Sequence, residues 1–190
     1  MARALIPWIT LGLVAILLAV AAIPNPAVLE YDAGHRAAQP WRAFTSQLVH
    51  WSPAMLVVDV FLAGIAGAIV ERRSRALASL AIAFGALAVA GAVWLSDLVR
   101  YRGSSGIGTA LLVAGGLELT LRAGSRQARR VGAVALAVAV LKIALERPGA
   151  SPLLPEGVVA ATAVHVAGAV AGAAAFLCVR FRTPRAAPQN

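Results

Sequence analysis

The sequence predicts an all-α membrane protein: a bundle of six transmembrane helices with both termini in the cytoplasm. Three observations carry that expectation. Of 190 residues, 60% are hydrophobic and 13% charged, and mean hydropathy is +0.80; a soluble domain of this size does not need so much apolar surface. The apolar residues gather into six stretches with few charges, most of them near the ~20 residues that cross a bilayer. The arginines fall in short clusters between those stretches, where they set orientation. Ala, Leu and Gly dominate, without the alternating polarity of a membrane barrel, so strands are not expected.

In chain order the segments are residues 5–23, 53–70, 76–95, 105–121, 131–145 and 157–179. They form one domain, 1–182, followed by a short polar tail, 183–190, expected to be disordered. The first segment ends in Ala19-Val-Ala-Ala22, like a signal-peptide cleavage site. It reads as a retained span, because only Arg3 precedes it and its removal would leave five helices. The fifth segment is short and carries Lys142, which can snorkel to the nearer surface.

Loop charges orient the bundle. One side carries Arg3, Arg72, Arg73, Arg75, Arg122, Arg126, Arg129, Arg130, Arg180, Arg182 and Arg185 against a single acid, Glu71. The other carries Arg36, Arg42, Arg100, Arg102 and Arg147, offset by Glu30, Asp32, Asp97, Glu146 and Glu156. Eleven arginines against five place the first side in the cytoplasm. This distribution accounts for the net charge of +9 without nucleic acid as a partner. The only cysteine, Cys178, lies in the last apolar stretch, so the chain has no internal disulfide. The long connection, residues 24–52, faces outward and carries Trp41, Trp51, Arg42 and His50. Its aromatics suit the headgroup zone, and its length exceeds that of a linker.

Ionisable groups within spans are costly and are functional candidates by default. Here they are Asp59, Glu118, Lys142 and His165, joined by Ser105 as a possible nucleophile. Ser105 stands where Gly103-Ser-Ser-Gly106 runs into the fourth segment, close to water but shielded from it. His165 shares a helix face with Gly168 and Gly172, a small-residue seam that lets another backbone come close. The fourth segment is rich in small residues beside Ser105 (Gly108, Thr109), so packing the two segments brings imidazole to hydroxyl. A Ser–His pair activates the serine by general-base catalysis. The plainer alternative is a histidine bonded to a backbone carbonyl between helices. Glu118 is expected to meet Arg122, and Lys142 to meet Glu146, each one turn on. No H-E-x-x-H, C-x-x-C or P-loop is present, so neither a metal nor another cofactor is expected.

The motifs together resemble the rhomboid family of intramembrane serine proteases. Gly103-Ser-Ser-Gly106 is similar to the family's G-x-S-G, with Ser105 as nucleophile. His165-Val-Ala-Gly168 is similar to its H-x-x-G, with His165 as base. Trp41-Arg42, followed by His50, resembles the W-R motif of the first loop and the polar start of the second helix. Their order matches the six-helix rhomboid-like core over nearly the whole chain. The Leu48-Val-His-Trp-Ser52 stretch with Asp59 beyond it resembles the bacterial rhombosortase-like branch. The sequence departs from the family on its second helix. Where a His and an Asn one turn apart help bind the oxyanion, this chain aligns Met55 and Asp59. Met55 cannot donate a hydrogen bond. Asp59 can donate only if protonated, and can alternatively orient His165. Asp59, His50 and Gly103 are therefore the candidate oxyanion and supporting residues. Thr109 stands where many rhomboids pack an aromatic or His against the base. Arg42 is either a hydrogen-bond hub of the loop or an interface arginine.

The resemblance implies a multi-pass protein of the bacterial inner membrane that cleaves transmembrane segments of membrane proteins near the outer face, with the lipid bilayer as its other partner. The alternatives are a catalytically weak or inactive rhomboid-like pseudoprotease that binds transmembrane helices, and a small transporter or structural protein whose Gly-rich helices only pack.

Overall fold

The computed structural model describes residues 6–146 and 162–182. The expected tail at 183–190 and the start of the sixth segment lie outside them. The described chain is helical: α1 Trp8–Ala21, a short α2 Arg42–Thr45, α3 Pro53–Arg73, α4 Arg75–Leu95, α5 Ser105–Arg122, α6 Arg126–Leu145 and α7 Thr162–Arg182. Among the described residues three helices are long and apolar enough to cross a membrane: α3, α4 and Thr162–Phe181 of α7. α1 is apolar but shorter.

Most helices end where local chemistry stops or starts them. Ser52, Ser74 and Ser125 cap α3, α4 and α6, each hydroxyl accepting from the N–H three residues on. The cap at Ser125 starts α6 five residues before the apolar run, so this helix is 20 residues long, not short. α1 has no side-chain cap of its own. Its first turn is instead closed by Glu71 from the far end of α3, which accepts from Ile9 N (2.9 Å), Thr10 N (2.8 Å) and Thr10 Oγ1 (2.8 Å). A carboxylate at a helix N-terminus meets both the free N–H groups and the positive end of the dipole. Glu71, read from sequence as a lone acid among inner-loop arginines, is thus a buried tie between two helices. Glu71→Ala is expected to cost about 3 kcal/mol, since charged hydrogen bonds are lost and N–H groups are left buried. A lowered thermal midpoint in detergent checks this.

α5 is the axis of the bundle, packed against α3, α4, α6 and α7. Its residues are nearly all buried from Ser105 to Gly116. Small side chains make that possible. A Cβ on Gly168 would lie 2.2 Å from the Gly106 carbonyl oxygen, and one on Gly172 would lie 2.3 Å from that of Ala110. The Gly168/Gly172 seam therefore seats α7 directly on the backbone of α5. With neighbours on every side, α5 tolerates glycines, Glu118 and Arg122, which dilute its hydropathy. Glu118 lies 3.8 Å from Arg122, the expected one-turn pair.

The long first loop is ordered and tied to the lead-in of α5. A two-residue antiparallel ladder, β1 Tyr31–Asp32 and β2 Arg100–Tyr101, joins them, although no strand was expected. Buried Glu30 pairs with both Arg100 and Arg102. The two guanidinium groups also lie over the Trp51 ring, 5.3 and 4.6 Å from its centre. Arg42 Nη1 donates to the carbonyls of Ala27 and Glu30, which makes it a loop hub. Gln47 reaches across to Ala86 O on α4. Because β2 is three residues from Ser104, this tethering sets the position of the Gly103–Gly106 turn.

Candidate active site

Ser105 is the first residue of α5, and Gly103 before it makes the turn. Gly103 has φ +134°, a conformation that side-chain-bearing residues rarely adopt. A Cβ there would also sit 2.5 Å from Met55 Cε. Gly103 N donates to Ser46 O (3.0 Å), and its carbonyl accepts from Tyr101 OH (2.8 Å). Burial, reinforced by the charge of Asp59, raises the pKa of the Tyr101 phenol far above its usual value, so it remains a donor at physiological pH.

The turn aims the serine at α7. Ser105 Oγ lies 2.7 Å from His165 Nε2, and both residues are buried, at 8% and 6% exposure. The structure thus brings together the two residues expected from sequence to form a nucleophile and its base. On the other side of the ring, Nδ1 lies 2.6 Å from Glu146 Oε2, just past the end of α6. A carboxylate on Nδ1 fixes that nitrogen as the N–H donor and leaves Nε2 with a lone pair toward Ser105. Burial opposes the charge on Glu146, but its hydrogen bond to His165 and the nearby charge of Lys142 favour it, and its pKa is held below the ordinary value.

Lys142 occupies an unexpected position. Its Nζ lies 2.8 Å from His165 Nε2, the same atom that faces Ser105. The expected Lys142–Glu146 pair is therefore replaced by two separate bonds to the imidazole. One turn apart on α6, the ammonium takes one ring nitrogen and the carboxylate the other, because the ring enters between them from α7. The sequence marks Lys142 as a candidate only because it is an ionisable group in a span and pairs it with Glu146, and it gives Glu146 no part in the site. The available signal was the placement of two opposite charges, one turn apart, at the end of an apolar stretch.

The helix-two residues form a second cluster. Asp59 Oδ2 accepts from Ser104 N (3.0 Å) and Ser104 Oγ (3.2 Å), and lies 3.1 Å from His50 Nε2. His50 Nε2 also lies 3.3 Å from Ser104 Oγ, while its Nδ1 is buried with no hydrogen-bond partner among the described residues. Asp59 thus acts as an acceptor that caps the turn before the nucleophile. It does not orient His165; Glu146 stands in that position. Neither Asp59 nor Met55 presents a donor toward Ser105. Gly103 is part of the same wall, its N–H already bonded to Ser46. The N–H of Ser105, at the first helical position, has no carbonyl one turn back to bond. Thr109 donates to Ser105 O (2.8 Å).

The Gly seam holds these parts in register. Gly168→Ala would push α7 off α5, costing about 1–3 kcal/mol. A displacement of ~1 Å between base and nucleophile costs on the order of 100-fold in rate. We expect the variant to fold, to melt earlier and to react slowly at Ser105, as read by thermal unfolding and serine labelling.

No protein-family model matches the chain, and no curated protein matches it in sequence.

Proposed function

We propose that this chain is an intramembrane serine endopeptidase with a rhomboid-like six-span bundle, both termini in the cytoplasm of a bacterial cell, and a site opening toward the outer face of the inner membrane. One observation carries the reading: a buried serine hydroxyl 2.7 Å from an imidazole whose other nitrogen is held by a carboxylate at 2.6 Å. That arrangement does the chemistry of acyl transfer. Ser105 Oγ attacks the scissile carbonyl as His165 Nε2 takes its proton. Glu146 holds the Nδ1–H and stabilises the imidazolium that results. His165 then protonates the leaving amine, and water admitted from the outer side hydrolyses the acyl-enzyme through the same base. The Ser105 N–H, at the positive end of α5, faces the oxyanion. Substrates are transmembrane segments that unwind near the outer face.

A second reading, a helix-binding protein without activity, draws on Met55 and Asp59, which leave helix two without an oxyanion donor. A fluorophosphonate probe separates the two readings. Under the protease reading the detergent-solubilised wild type is labelled and Ser105→Ala is not. A folded wild type that stays unlabelled, and that leaves single-span substrates intact in vesicles, supports the second reading.

A further inference from the structure

The least explained contact in the site is the ammonium of Lys142 on His165 Nε2. With Nδ1–H committed to Glu146, Nε2 has one lone pair, and two donors approach it: Ser105 Oγ at 2.7 Å and Lys142 Nζ at 2.8 Å. In the resting site they share it. When Ser105 attacks, the Oγ–C bond forms, the Oγ proton passes to Nε2, and the carbonyl π pair moves onto oxygen. Nε2 then carries a proton and can accept nothing. Lys142 loses its acceptor at the moment a new anion appears, two bonds from the Oγ atom with which it shared Nε2. The imidazolium repels the ammonium, and the oxyanion attracts it.

The other charges near the site leave that task open. Glu146 is taken by Nδ1. Asp59 is taken by Ser104 and His50. Met55, against Gly103, has nothing to donate. Among the described residues, the other donors beside Ser105 are its own backbone N–H and the Tyr101 phenol, and that phenol already donates to Gly103 O.

We propose that Lys142 is a catalytic residue, the cation that stabilises the oxyanion formed at Ser105, in place of the donors absent from helix two. This rests on the protease reading. Such an interaction is made in the transition state and not with bound substrate, so it acts on kcat rather than KM. The test uses the full chain in detergent and follows both the rate of Ser105 phosphonylation and the cleavage of a single-span substrate. Lys142→Met is expected to lower kcat and the labelling rate by about 100–1,000-fold with KM little changed, and Lys142→Arg to retain most of the activity. In a Cys178→Ala background, aminoethylation of Lys142→Cys restores a cation of similar length and is expected to restore the rate, which a purely structural lysine would not require. Lys142→Met reacting as fast as or faster than wild type overturns the proposal, since the ammonium would then only block the base. Failure of aminoethylation to rescue a folded Lys142→Cys overturns it as well. Absence of Ser105-dependent labelling in the wild type sinks the protease reading itself, and that result does not depend on residue 142.

Discussion

Under the protease reading, Ser105→Ala and His165→Ala are each expected to cut cleavage of a transmembrane substrate by about a million-fold, and the double variant no further. The reason is that hydroxyl and imidazole act as one unit. Without the base, the hydroxyl keeps its proton; without the hydroxyl, the base has nothing to activate. The 2.7 Å contact is buried, so bulk water does not readily replace the imidazole. Both variants should still fold, because the Gly168 and Gly172 seats on α5 are untouched. The measurement is turnover in vesicles together with fluorophosphonate labelling. Near-normal activity in His165→Ala would remove His165 as the base.

Glu146→Gln is expected to lower kcat by roughly 1,000–10,000-fold while leaving KM near the wild-type value. A carboxamide is nearly isosteric with the carboxylate and can still meet Nδ1. It can turn its NH2 toward the ring, which would place the ring proton on Nε2 and cost the base its lone pair. Even with its oxygen toward Nδ1, it carries no charge to balance the imidazolium that forms during attack. Asp59→Asn serves as the control. Asp59 touches Ser104 and His50, not His165, so its effect should be far smaller and fall mainly on stability. A small loss for Glu146→Gln beside a large loss for Asp59→Asn would reverse these assignments.

Much of this site could be read along the chain because its signals are local. Ser105 is flanked by glycines at the start of an apolar run, and His165 shares a face with Gly168 and Gly172. Both patterns depend on spacings within one helix or turn. Contact between those two helices was expected from the small-residue seam, and the seam does seat α7 on Gly106 and Ala110. Other features were hidden because they join distant segments. Glu71 closes the first turn of α1 from 61 residues away in sequence, and a two-residue ladder links the first loop to the turn before Ser105. Such pairings leave no periodic trace.

By itself the sequence determined that the chain forms apolar helices, that the loop before α5 turns through glycine, and that a serine and a histidine sit beside small residues. These follow from hydropathy, side-chain size and helical spacing, which act within a few residues. Only the tertiary structure decided what surrounds the imidazole. Lys142 and Glu146, four residues apart, read as a simple pair on one helix. The arrival of His165 from α7 divides them, one charge to each ring nitrogen, and sends Asp59 to the neighbouring turn instead. Each nitrogen meets the charge that the packing of three helices brings nearest, and no spacing along one helix encodes that.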